Sequence, residues 1–271
     1  MRCIFCKTNL DSSTSVEHIV PRSLGHNEHV LEPGVVCDSC NNYFASKVEG
    51  RVLASNFFRD LRFRNNVPSK KGRVPPAIGC CPSAGVAIEF RRDTSGLSIG
   101  VRSEEDEAAF VAALQSRQSG SLWLPIIAGN DTDARVMARF LGKMAMECLA
   151  SCLTVVTGGQ DEIVDHSELE PLRRFVRYGE GPDWYYTERR IYPEGEIFQP
   201  DSDPEAFEVL HEFDLLYTEE KELYFVCAIF GIEFAINMGG PSTDSYNAWL
   251  NAHNGGSILL DERLKPNLTK R

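Results

Sequence analysis

With 271 residues, 42% of them hydrophobic and 25% charged, the chain can fold as one large domain or two smaller ones, and its composition excludes a disordered polymer. No apolar run reaches bilayer-spanning length; the longest, around 224–232, reads as a buried strand. The net charge of −11 is awkward for a partner of nucleic acid, but it is unevenly spread. Residues 51–73 hold seven Lys/Arg against one Asp/Glu, and residues 74–271 hold seventeen against thirty-two. The first cysteine motif begins at residue 3, leaving no room for a signal peptide, so a cytoplasmic protein is expected.

In chain order, Cys3-Ile4-Phe5-Cys6 opens a knuckle that runs into polar turn residues up to 14. Residues 16–20 predict a short strand stopped by Pro21, which has no N–H for a ladder. Residues 22–34, with Gly25, Asn27, Pro33 and Gly34, read as an irregular loop, and Val35-Val36 as the second strand. From Asp38, with Asp38 or Ser39 as cap, helical spacing of Tyr43 or Phe44, Val48, Val52 and Phe57 or Phe58 predicts one helix ending before Pro68. Strand, loop, strand and helix make a ββα unit. A linker over 68–76 then separates an N-terminal module, residues 1–75, from a mixed α+β domain, residues 76–271. The fold class is therefore α+β.

In the second part, 86–92 and 97–102 predict a hairpin, 104–115 an acid-started helix, and 132–152 the strongest helix, with a broad apolar stripe. A short helix follows near 167–178. Residues 207–217 and 222–238 read as two strands around a polar turn. The role of this domain is open between specificity, regulation and oligomerisation.

Nine cysteines are an odd number, and four form the pairs Cys3/Cys6 and Cys37/Cys40. Thiolates at Cys-x-x-Cys spacing suit one tetrahedral zinc ion with no open position, which supplies folding energy and no catalysis. Between the pairs lies Glu17-His18, a carboxylate suited to a hard cation beside an imidazole that titrates near neutrality. Arg51, Arg59, Arg62, Arg64, Lys70, Lys71 and Arg73 form the basic stretch, either backbone-phosphate contacts or a solvated helix end. Cys80-Cys81 and Cys148/Cys152 read as structural. Asp161, Glu162, Asp165 and His166 read as a capped loop between helices before a metal site, and Trp184-Tyr185-Tyr186 as packing before base stacking.

The arrangement Cys3-x-x-Cys6, Glu17-His18-Ile19-Val20-Pro21-Arg22-Ser23-Leu24-Gly25 and Cys37-x-x-Cys40-Asn41 resembles the zinc-knuckle branch of the HNH endonucleases, in the His-Me finger (ββα-metal) superfamily. The resemblance covers about the first fifty residues. It implies His18 as general base, Glu17 and Asn41 as ligands of one catalytic divalent ion (Mg²⁺ or Mn²⁺), and the four cysteines as ligands of structural zinc. It also implies a nucleic-acid substrate, DNA first. The chain departs from the family at Glu32, where an Asn is frequent, at Gly25-His26 in place of Gly-Gly, and at Ala45. The rival expectation is a non-catalytic zinc module that binds nucleic acid or protein. A third has the acidic second domain restraining the nuclease.

Overall fold

The computed structural model describes residues 2–9, 13–25, 29–69, 71–93, 96–116, 120–195 and 211–260. They form two compact units: residues 1–21, 26–52 and 133–271 make the first, and 22–25 with 53–132 the second. The expected linker at 68–76 falls inside the second unit. Helices and antiparallel sheets occur in both, an α+β chain.

The first unit begins with the cysteine knuckle and a two-residue ladder, β1 Glu17–His18 against β2 Val30–Leu31. The second strand is thus five residues earlier than Val35-Val36. Those two valines are instead buried after Gly34, whose φ of 94° turns the chain, and the Val35 carbonyl accepts from the Ile4 amide. A helix starts where expected, but it is not continuous. α1, Asp38–Phe44, gives way to a π-turn over Ala45–Glu49 and then to α2, Gly50–Ala54. The wider turn rotates the helix face, so that Val48 and Glu49 both point inward.

In the second unit Ser55 adopts extended backbone and caps a new helix, α3 Asn56–Arg64, through a hydrogen bond from the Phe58 amide. Asp131 adds a cap from far along the sequence, accepting from the Asn56 and Phe57 amides. A three-stranded antiparallel sheet follows, in the order β3 Ala77–Cys81, β4 Val86–Asp93, β5 Gly96–Val101. The expected hairpin is β4–β5, with its turn at 94–95 outside the described residues; β3 was not expected. α4, Glu104–Gln115, has the predicted bounds, with Ser103 as its cap. Phe63, Ala77, Cys81, Val86, Ile88, Phe90 and Phe110 form this unit's core.

The first unit resumes with α5, Ala134–Leu153, capped by Asp133. Then come α6 Gly159–Asp165, α7 Glu170–Tyr178 and a four-stranded antiparallel sheet ordered β6 Tyr186–Arg190, β9 Ile232–Asn237, β8 Leu223–Ile229, β7 His211–Tyr217. The expected strand over 222–238 is a hairpin, because Phe230 and Gly231 both take positive φ (51° and 76°) and reverse the chain in two residues. The start of the other expected strand, 207–210, lies outside the described residues. α8, Asp244–Ala252, was not foreseen. α5 crosses α7 closely at Gly142, where a Cβ would stand 2.6 Å from Val176. On its other sides α5 meets β8, β9, β2 and the π-turn, so one helix runs through the core of the unit. Its Phe140, Leu141, Met144 and Ala145 are fully buried, each large side chain contributing about 2–3 kcal/mol of transfer free energy.

The polar cluster near 161–166 is part of α6 rather than a loop, and its acids already have a cation. The Arg2 guanidinium pairs with Asp161 and Asp165 at 2.8 and 2.7 Å. Trp184 is buried and donates to the Asn237 carbonyl at 2.7 Å, which makes it a core residue. Cys148 is buried on α5 and Cys152 exposed.

Candidate active site and metal centre

The knuckle closes because Lys7 takes a left-handed φ of 61°, letting its amide bond the Cys3 carbonyl at 2.9 Å. Cys37 ends the loop before α1 and caps that helix, its Sγ accepting from the Cys40 amide at 3.3 Å. All four sulfurs, from Cys3, Cys6, Cys37 and Cys40, lie within 4.8 Å of one another. Cys6 and Cys37 are 3.6 Å apart at sulfur. A tetrahedral ion with bonds of about 2.3 Å needs sulfurs about 3.8 Å apart, so the donors fit zinc in type and spacing. Crowding shows in the thiols themselves: a hydrogen bond from Cys40 draws Cys3 down to about 5, while burial pushes Cys37 up to about 11. Amide N–H groups and one cation complete the surroundings. The Cys37 amide donates to Cys3 Sγ, and Arg177 Nε to Cys40 Sγ at 3.1 Å.

Glu17 and His18 sit on β1, and Asn41 in the first turns of α1. Asp38 ties the two elements together. Its carboxylate accepts from the Ser13 hydroxyl at 2.8 Å and from the Thr14 and Ser15 amides at 3.2 and 2.9 Å. These bonds, those from Ser15 foremost, hold the carboxyl down at about 2. The loop entering β1 is thereby anchored to the start of the helix that carries Asn41. Two residues farther on, Tyr43 is gripped by α5 and α7, with Arg139 donating to its hydroxyl at 2.7 Å and the Arg177 guanidinium 4.0 Å above its ring.

Behind β1 lies a buried charge cluster. Lys143 on α5 is fully buried, and its Nζ is 2.6 Å from Glu17, 2.8 Å from Glu49 and 2.9 Å from Glu147. It also donates to the His18 carbonyl at 3.4 Å. Burial alone would lower the ammonium's pKa, but Glu147, Glu49 and Glu17 outweigh it and hold the group well above its ordinary value. Burial pushes the Glu147 carboxyl upward. Removing one partner from such a buried set costs about 3–5 kcal/mol, because the remaining charges lose their compensation. For a hard divalent ion, a Glu17 carboxylate with one oxygen on Lys143 and an Asn41 carboxamide are suitable oxygen donors.

The basic stretch is less uniform than its sequence suggests. Arg51 and Arg73 are exposed, as is Lys71, and Arg59 is half-buried. Arg64 pairs with Asp60 at 2.9 Å. Arg62 is 6% exposed, and among the described residues its buried Nε and Nη2 have no hydrogen-bond partner. It is therefore withdrawn from any surface role. Lys70 lies outside the described residues.

Sequence reasoning missed Lys143, Glu49, Glu147, Arg177 and Asp38's anchoring bonds. One signal was present: Lys143 and Glu147, four apart, interrupt the apolar stripe of the strongest helix, and charges there need a buried partner.

Residues 3–56 match the family model described as HNH endonuclease, a span that takes in both cysteine pairs, Glu17, His18 and Asn41 and covers about one fifth of the chain. No curated protein and no solved structure is significantly similar to the chain. Among the described residues, no helix is long and apolar enough to cross a membrane.

Proposed function

We propose that this chain is a metal-dependent endonuclease that hydrolyses phosphodiester bonds, with DNA as the first substrate to test. The observation that carries the reading is the pairing of Glu17-His18 on β1 with a helix, α1, that Asp38 anchors to the same loop, all inside the segment that matches the HNH family. Zinc at the four cysteines would be structural: a closed sulfur set has no position for substrate.

In this reading His18 accepts a proton from water as the water oxygen attacks phosphorus and the bond to the 3′ oxygen breaks. Glu17 and Asn41 would hold one Mg²⁺ or Mn²⁺. When bound, that ion supplies charge stabilisation at the phosphoryl oxygens and the leaving oxygen. The β1–β2 ladder and the Lys143 contact to the His18 carbonyl keep the His18 backbone fixed. Arg51, Arg59, Lys71 and Arg73 are the candidates for sequence-independent phosphate contact.

The test is incubation of the zinc-loaded chain with supercoiled plasmid, single-stranded DNA and RNA, with Mg²⁺ or Mn²⁺ and with or without chelator. Chelator-sensitive cutting that is lost in His18→Ala is the expected result. Binding of nucleic acid without cutting under every condition would favour the adaptor.

A further inference from the structure

Lys143 lies more than eighty residues beyond the segment that matches the family, yet its ammonium touches the carboxylate assigned to the catalytic ion. We propose that Lys143 is a positioning residue of the nuclease site, a resident cation that fixes the Glu17 carboxylate for metal binding. This rests on the reading of Glu17 as a metal ligand.

The argument is geometric. Lys143 is fully buried and Glu17 nearly so, at 7% exposure. The Nζ is held from three sides, by Glu147 one turn along the same helix, by Glu49 on the π-turn, and by Glu17 on β1. A point held from three sides defines where one Glu17 oxygen must lie, which leaves the carboxylate little freedom to rotate. The same ammonium meets the His18 carbonyl, so the base and the ligand share one support. An ammonium beside a metal site would ordinarily repel the ion. Here Glu49 and Glu147 surround it, and the neighbourhood is acidic rather than basic. The π-turn gains a purpose as well: the extra residue in that turn is what brings Glu49 inward.

Mn²⁺ binding to the zinc-loaded full chain tests this directly, read as loss of the free-ion electron paramagnetic resonance signal. Lys143→Met alone strands buried carboxylates and can unfold the unit, so the informative variant is Lys143→Met with Glu49→Gln and Glu147→Gln. The control is Glu49→Gln with Glu147→Gln, which keeps Lys143 on Glu17. Glu17→Gln should lose the ion. The triple variant should bind about 10–100-fold more weakly than the parent with zinc content unchanged, the range seen when a group orienting a metal ligand is removed. The control, which loses the two charges that offset the ammonium but keeps Lys143 on Glu17, should fall between the two. Parent-like or tighter binding by the triple variant would overturn the proposal, tighter binding meaning that Lys143 competes with the ion. If the parent binds no Mn²⁺ and cuts no substrate, the nuclease reading itself fails, and this one with it.

Discussion

Arg177 donates its Nε–H to the sulfur of Cys40 at 3.1 Å, although 137 residues separate the two. A zinc ion with four thiolates carries a net double negative charge, so a half-buried guanidinium against one sulfur stabilises the loaded site. Arg177→Leu should therefore release zinc more readily, with affinity lower by about tenfold or more in chelator competition. Zinc retention equal to the parent would remove Arg177 from the metal centre and leave it to its contacts with the Tyr43 and Tyr178 rings.

Asp38 offers a test with a defined sign. Its folded carboxyl titrates near 2, below the ordinary value of 3.8, held there by bonds from Ser15 and Ser13. A depressed carboxyl contributes stability that is complete above its unfolded pKa and lost as pH falls through the folded one. The stability difference between the parent and Asp38→Ala should then be flat from pH 8 to 5, with the parent more stable throughout. Denaturant titrations at several pH values measure it. A difference that grows or vanishes within that window would show that another group is responsible.

For the chemistry, His18→Ala should cut at least about 100-fold more slowly, the usual size of a lost general base, while keeping its zinc and its helical signal. Cleavage by the parent should fall toward acid pH, where a protonated imidazole cannot take the proton of water. A flat profile over pH 5.5–8 would point to a different base.

If the acidic second domain restrained the nuclease, a chain cut after about residue 76 should show more nonspecific cutting. The packing of the first unit predicts an unfolded fragment instead. Arg173 on α7 is buried and donates to the Ile4 carbonyl at 2.7 Å, and Gln160 on α6 binds the carbonyls of Arg2 and Gly34. Without 133–271 these carbonyls lose their donors, Tyr43 loses Arg139 and Arg177, and Glu17 and Glu49 lose Lys143. Residues 1–76 should show little helix by circular dichroism and no cutting; a soluble, zinc-loaded, active fragment would refute the dependence.

The cysteine cluster was legible from local chemistry. Cysteine spacing announces a metal whatever the tertiary context, and the Cys pairs do converge. α4 and α5 were legible because their caps, Ser103 and Asp133, and their apolar periodicity agree. The short strand was misplaced because two valines have strand propensity anywhere; only Gly34's left-handed turn and the pairing with Glu17 decide that Val30–Leu31 is the partner. The helix from Asp38 was drawn unbroken because a π-turn leaves no residue-type signature, and Ser55 reads equally as helix interior or cap. Lys143 was passed over for a related reason. A lysine on a helix usually reaches for solvent, its i,i+4 partner Glu147 reads as an ordinary pair, and nothing near it in sequence reveals Glu17 and Glu49 converging from two other elements.

The insertion of residues 53–132 into the first unit also orders events in time. Ile4 and the Arg173 that covers it leave the ribosome 169 residues apart. At about 5–20 residues per second that is a delay of roughly ten to thirty seconds. During it the knuckle can meet zinc but cannot yet dock. Glu17 has no ammonium until α5 emerges. The candidate site residues are thus made first and supported last, and a nascent chain stalled partway carries the motif without the support that orders it.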